Sequence, residues 1–172
     1  MQQSDEPAVR VTPMTIRHLP DVLDLGHRAF GTGVKPYTGW SLSAAAVHVE
    51  APEPACFVAL RGDELCGFVL GSMTFEQRAD WGYLEWIAVG PAARGQGVAG
   101  RLVTACRERL EALGAAAVIT DVEARNEAST ALMHRHGFEV RATVNLLVHT
   151  TRPAGLAQPH PLSRSRRSAA LG

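Results

Sequence analysis

The stretch from Trp81 to Gly100, WGYLEWIAVGPAARGQGVAG, constrains this chain more than any other part of it. An apolar, β-prone run ending at Val89 meets a turn at Gly90-Pro91, then a loop holding Gly95 and Gly97, then the start of a periodic helix. A strand that feeds a helix through small residues presents unpaired backbone N–H groups at the positive end of the helix dipole. Small side chains also let an anion reach that backbone, so the segment reads as a phosphate site, with Arg94 adding a full charge at its rim.

The rest of the chain reads as alternating strands and helices around that segment. Ala8–Thr12 is a short β-like run, and Ile16, Leu19, Val22, Leu23, Leu25, Ala29 and Phe30 then recur at helical spacing with Thr15 as the candidate cap. Residues 31–40 (GTGVKPYTGW) read as a loop or broken helix, whose Lys35, Tyr37 and Trp40 suit either an acceptor pocket or helix packing. Ser41 opens an Ala-rich helix to about Glu50, stopped by Pro52 and Pro54. Cys56–Arg61 and Leu65–Thr74 form a hairpin around Gly62-Asp63, and Trp81–Val89 continues the meander.

Beyond Gly97 the apolar period becomes helical through Val98, Leu102, Val103, Cys106, Leu110 and Leu113, and Gly114 closes that helix. Ala116–Val122 reads as a strand covered on both faces. A short helix from Glu127 to Arg135 stops at His136-Gly137, and Phe138–Ala142 and Val144–His149 are β-like. The sum is an α/β domain over residues 1–150 with a mixed sheet, followed by a disordered tail at 151–172 whose Arg164, Arg166 and Arg167 are solvated.

Composition removes several classes of function. With 172 residues, 46% of them hydrophobic, one domain with a real core is the expectation. Seventeen Lys+Arg against seventeen Asp+Glu leave no net field to hold nucleic acid or an anionic membrane. No run of about 18 apolar residues spans a bilayer, and the first residues lack the order of a signal peptide, so a soluble cytoplasmic protein is expected. The cysteines Cys56, Cys66 and Cys106 show no Cys-x-x-Cys and read as buried free thiols. The seven histidines show no ligand spacing beyond His134-x-His136, so no metal is expected.

Two readings compete for the glycine loop. Gly95-x-Gly97-x-x-Gly100 matches the dinucleotide fingerprint, with Asp121 at the end of the next strand as the ribose partner. However, Gly90-Pro-Ala-Ala-Arg94 intervenes between strand and first glycine, where a dinucleotide site needs the glycine directly after the strand. The meander upstream also differs from a series of βα units. The second pattern, Arg94-x-x-Gly97-x-Ala99, resembles the acyl-CoA pyrophosphate loop of the GNAT superfamily of N-acetyltransferases. Asn126-Glu-Ala-Ser-Thr-Ala-Leu-Met133-His-Arg-His-Gly137-Phe138 is similar to a later motif of that family, and the resemblance runs from about Val9 to His149.

What the resemblance implies is a single GNAT-like α/β domain with a mixed, mostly antiparallel sheet and helices on its flanks. Two central parallel strands, Trp81–Val89 and Ala116–Val122, would splay at their C-terminal ends to take the pantetheine arm of acetyl-CoA. By the same resemblance, Ala88 and Val89 would pair with the arm through their backbones, and Arg94, Gly95, Gln96, Gly97, Val98 and Ala99 would hold the pyrophosphate. Asn126, Ser129 and Met133 would contact the arm from the other side, although Asn126 serves equally as a helix cap.

The implied reaction is direct acetyl transfer to a primary amine in a ternary complex. The acceptor is a small molecule or a protein amine, with room left for a homodimer and no part for nucleic acid or membrane. An alkylammonium must lose a proton before it attacks. Glu85, among Leu84, Trp86 and Ile87, is the first candidate base, and Glu123 the second. Many family members carry a Tyr seven residues after the motif Asn, as donor to the leaving thiolate. Here that position is Met133, which has no proton to give. A non-catalytic acyl-CoA sensor is the alternative from another class.

Overall fold

Gly62, at φ +61°, makes the tight turn that folds β2 (Phe57–Arg61) back on β3 (Glu64–Ser72). The computed structural model describes residues 7–30, 39–73, 75–147 and 149. β1 (Val9–Pro13) pairs antiparallel with the outer side of β2, and β3 pairs antiparallel with β4 (Trp81–Val89). β5 (Ala117–Ile119) lies parallel to β4, so the five strands follow the order β1-β2-β3-β4-β5. A crossover helix is what a parallel pair requires, and α3 (Val98–Ala112) supplies it.

Period-2 alternation along β3 and β4 divides the core into two layers. Phe68, Leu70, Trp86 and Ala88 face α1 (Leu19–Ala29) and α2 (Leu42–Val49), together with Val22, Leu25 and Ala45. Val69 and Leu84 face α3, whose Val98, Leu102, Val103, Cys106 and Leu110 form the stripe expected from the sequence. α3 lies close to the sheet because glycines stand beneath it: a Cβ on Gly71 would come within 2.6 Å of Cys106 Sγ. α4 (Glu127–Arg135) packs beside α3 and contributes Met133 to the same layer.

Local chemistry sets the helix ends. Ser41 Oγ accepts from Ala44 N–H at 3.2 Å and starts α2, and Asn126 Oδ1 accepts from Ser129 N–H at 3.0 Å and starts α4. Gly114, at φ +91°, follows α3 as the expected left-handed stop. The first helix departs from expectation. A 3-10 turn at Ile16–His18 precedes it, and Thr15 N–H donates to His18 Nδ1 at 3.0 Å, so the ring caps the threonine backbone.

Two strand expectations need correction. The run Ala116–Val122 forms a strand only at Ala117–Ile119, and all three residues are half-exposed rather than covered on both faces. Phe138–Ala142 and Val144–His149 form no strand among the described residues, and Val140, Val144 and Leu147 stand 66%, 87% and 89% exposed. The two departures share a cause: with no ladder beyond it among the described residues, β5 ends the sheet order and has nothing to bury its outer side. The expected tail at 151–172 and most of the 31–40 loop, Lys35 and Tyr37 included, lie outside the described residues.

Candidate active site

β4 and β5 part early. Their ladder runs Trp81↔Ala117, Gly82↔Val118 and Tyr83↔Ile119 and then stops, while β4 continues to Val89. From Leu84 onward the β5 side of β4 has no ladder partner among the described residues, which leaves a sheet edge inside the molecule able to pair with an extended amide-bearing chain. At the fork the Tyr83 hydroxyl donates to Asp121 Oδ1, tying the last paired residue of β4 to the chain leaving β5.

The glycine loop sits at the open end of that edge. Gly95 and Gly97 both adopt left-handed backbone, at φ +74° and +73°. A Cβ at either would meet nothing within 4 Å, so conformation rather than space demands glycine there. The first helical bond of α3 runs from Arg101 N–H to the Gly97 carbonyl at 3.1 Å. The N–H groups from Gly95 to Gly100 thus have no backbone acceptor among the described residues, which is the donor array an anion needs. Two side chains brace the loop: Arg94 Nε donates to the Val89 carbonyl at 3.3 Å, and Gln96 takes a bond from Arg61 at 2.6 Å while donating to the Ala92 carbonyl at 3.0 Å.

A cavity of about 870 Å³ opens over this loop. Val89, Arg94, Gly95, Gly97, Val98 and Ala99, all singled out from the sequence, line it. Arg101, Thr104, Arg135 and His136 also line it and were not anticipated. His136 reaches the cavity because Gly100 lets the end of α4 approach α3: a Cβ there would lie 2.8 Å from His136 Nε2. The signal was present, as the third glycine of the loop, but its partner stands 36 residues later and no local pattern links the two.

Glu85 owes its position to a β-bulge. The β3–β4 register passes from Leu70↔Trp86 to Gly71↔Leu84, leaving Glu85 as the extra residue. Strict alternation counted back from Ile87 would turn Glu85 toward α3 and Leu84 away from it; the bulge instead leaves Leu84 facing α3 and sends Glu85 to the α1/α2 layer. There Glu85 Oε2 meets His48 Nε2 at 2.8 Å, with side chains 12% and 6% exposed. His48 Nδ1 is 3.0 Å from the Ala44 carbonyl. This histidine was not singled out from the sequence, where it is one of seven without a motif.

The remaining candidates are spread around the site. Ala88 is buried in the α1/α2 layer, one residue from the cavity. Glu123 lies exposed in the loop after β5, where the Glu123 carbonyl accepts from Asn126 N–H at 2.8 Å. Asn126 and Ser129 are joined by the cap of α4, and Met133, 5% exposed, packs into the α3 layer rather than lining the cavity. Trp40 is part of a closed aromatic group: its ring centroid lies 5.2 Å from Phe30, 5.2 Å from Phe68 and 5.3 Å from Trp86, which accounts for it by packing. Burial pushes the Cys56 thiol up to about 11 and raises Cys66 and Cys106 as well, so all three favour the neutral, weakly nucleophilic form. Among the described residues no three His, Cys, Asp or Glu side chains cluster to hold a metal, and no helix is long and apolar enough to cross a membrane.

Comparison with known proteins agrees with this geometry. The acetyltransferase (GNAT) family matches residues 19–138. Among solved structures, AAC(6')-Iy in complex with the bisubstrate analog CoA-S-monomethyl-acetylneamine superposes with a TM-score of 0.67 at 21% identity, covering 83% of this chain and 99% of that one. The ribosomal-protein-S18-alanine N-acetyltransferase from Escherichia coli gives 0.64 at 23% identity over 77% and 78% of the two chains. A transcriptional regulator from Bacillus halodurans C-125 gives 0.66 at 17% identity over 83% and 100%. At these identities the likeness is one of fold. No curated protein sequence matches the chain significantly.

Proposed function

The chain belongs to the GNAT acetyltransferase family, and from that premise we propose that it transfers the acetyl group of acetyl-CoA directly to a primary amine within a ternary complex. The observation that carries the proposal is the continuity of unpaired β4 edge and left-handed glycine loop. Pyrophosphate takes the N–H groups from Gly95 to Gly100 and the dipole of α3, with Arg94 at the lip. The pantetheine amides extend the sheet along Val89 and Ala88, with Asn126 and Ser129 opposite. From Val89 back to Glu85 is about 13 Å of strand, so a cofactor anchored at the loop brings its thioester toward the carboxylate.

Glu85 is the base in this reading. It takes a proton from the acceptor ammonium: an N–H bond breaks, an O–H bond forms, and the electron pair stays on nitrogen. That pair forms the new C–N bond, the C–S bond breaks with its electrons on sulfur, and the second N–H proton leaves the nitrogen for the departing thiolate or water as the amide forms. The Val89 N–H is the candidate donor to the carbonyl oxygen in between. The departing thiolate is stable enough to leave without the acid that Met133 cannot provide. Direct transfer rather than an acyl-cysteine intermediate is supported by the raised pKa of all three thiols. Relatives of this fold act on different amines: AAC(6')-Iy was captured with an acetylneamine conjugate, and another is a ribosomal-protein alanine acetyltransferase, so the acceptor here is a small-molecule or protein amine.

Calorimetric titration with acetyl-CoA, CoA and NAD, followed by thiol release across a panel of amines, tests the proposal. CoA binding with amine-dependent thiol release is expected. Binding without release on any amine would favour an acyl-CoA sensor, and preferential NAD binding would overturn the loop assignment.

A further inference from the structure

His48 is buried, 5% exposed. Its two ring nitrogens have fixed partners. The Ala44 carbonyl, 3.0 Å from Nδ1, can only accept, so Nδ1 carries a hydrogen. A neutral ring would then turn the Nε2 lone pair toward Glu85 Oε2 at 2.8 Å, and two lone pairs do not meet at that distance without a proton between them. The pair therefore holds a second proton.

His48 occupies the last turn of α2, whose carbonyl end favours a cation. Val22, Leu25, Ala45, Phe68, Leu70 and Trp86 form the core layer that α1 and α2 make with this face of the sheet. The acids and bases of α1 (Asp21, Asp24, His27 and Arg28) and Glu50 at the end of α2 are exposed. Cys56 is the other titratable group of the layer, and its thiol, held up at about 11 by burial, is neutral.

We infer that His48 is a positioning residue for acetyl transfer: its ring, anchored on the Ala44 carbonyl through Nδ1, shares a hydrogen bond through Nε2 with Glu85 Oε2 and holds the carboxylate as the bulge aims it. The inference rests on the reading of Glu85 as the base. It names a contribution of α2 to catalysis that no sequence motif marks. The bulge and the histidine act together, because without the extra residue at position 85 the carboxylate would face α3, away from the ring.

Kinetics of His48→Gln, Glu85→Gln and the double variant test it, using the full chain and an amine that the wild type acetylates. Gln at 48 keeps an N–H donor while removing the ring that the Ala44 carbonyl anchors. The expected result is a kcat lower on the order of 10- to 100-fold, part of the 10²–10⁴ that a positioned base supplies. The KM for acetyl-CoA should stay within about twofold, and the double variant should be no slower than Glu85→Gln alone, because His48 acts only through Glu85. Wild-type kcat in a folded His48→Gln, or additive losses, would overturn the role of His48 and leave Glu85 as the base. Wild-type kcat in Glu85→Gln, with an unaltered pH–rate profile, would overturn the base reading and the inference with it. Should His48→Gln fail to fold, nitrogen NMR of the wild-type ring decides: an Nε2 hydrogen-bonded to the Glu85 carboxylate is expected, and an Nε2 with no such bond overturns the positioning role.

Discussion

The two faces of the sheet present opposite ways of building half a site. On the α3 face the groups proposed to bind the cofactor are backbone N–H donors, delivered by two left-handed glycines and a helix start that follow one another within Gly95–Gly100. On the α1/α2 face the carboxylate proposed as the base is set by a bulge, a ring 37 residues away in sequence, and a layer of packed aromatics. The first kind of site depends on local conformation and little on the core beneath it. The second exists only when the tertiary structure is complete. Changes to one face should therefore leave the other's property intact, and each substitution below tests that separation.

The largest effect is expected from emptying the aromatic layer. Phe68 is fully buried, stacked on Trp40 and edge-on to Phe30 with its centroid 6.1 Å away. Phe68→Ala should lower unfolding stability by about 3–5 kcal/mol, from lost transfer energy and the cavity left behind. Urea unfolding measures that loss. Calorimetry below the new transition should still find CoA affinity within about twofold of wild type. An affinity that falls with stability would show that the loop depends on the opposite core.

The converse substitution is Gly97→Asp. Aspartate tolerates left-handed backbone better than most side chains, and a Cβ at this position meets nothing within 4 Å, so the fold should hold. A carboxylate within about 4 Å of a phosphate costs several kcal/mol at an intermediate dielectric, hence CoA affinity should fall on the order of 10²–10³-fold. The Tm without ligand should shift only slightly. Unchanged affinity in a folded variant would remove the anion role of the loop.

The same contrast explains how far the sequence could be read. Trp81–Val89, the α3 stripe, Ser41 as a cap and Gly114 as a stop all depend on neighbours within a few residues, and the structure has each of them where the spacing predicts. Six residues proposed for the cofactor line the cavity for the same reason. The pairing of His48 with Glu85 was not legible, because a bulge leaves no mark on apolar alternation and a lone histidine in an Ala-rich helix carries no pattern. Arg101, Arg135 and His136 were missed because helix packing, not spacing, gathers them. The β-like runs after Phe138 fail for a related reason: alternation states that a segment could pair, whereas pairing needs an edge in register, and β5 offers only Ala117–Ile119.

The smallest effect is the most discriminating, because Asn126 has two candidate roles on the α3 face. Its Oδ1 accepts from Ser129 N–H at 3.0 Å and caps α4, and the family resemblance gives it a contact with the pantetheine arm. Asn126→Ala removes both and should cost about 1 kcal/mol of stability, so alone it decides nothing. Asn126→Asp keeps the capping oxygen, suits the positive end of the helix, and removes only the amide hydrogens. If Asn126 is purely a cap, the Asp variant should recover both stability and CoA affinity. If the amide also donates to the arm, stability should return while affinity stays several-fold below wild type. The second outcome is the one expected if the pantetheine arm lies along the β4 edge with Asn126 opposite it, as proposed.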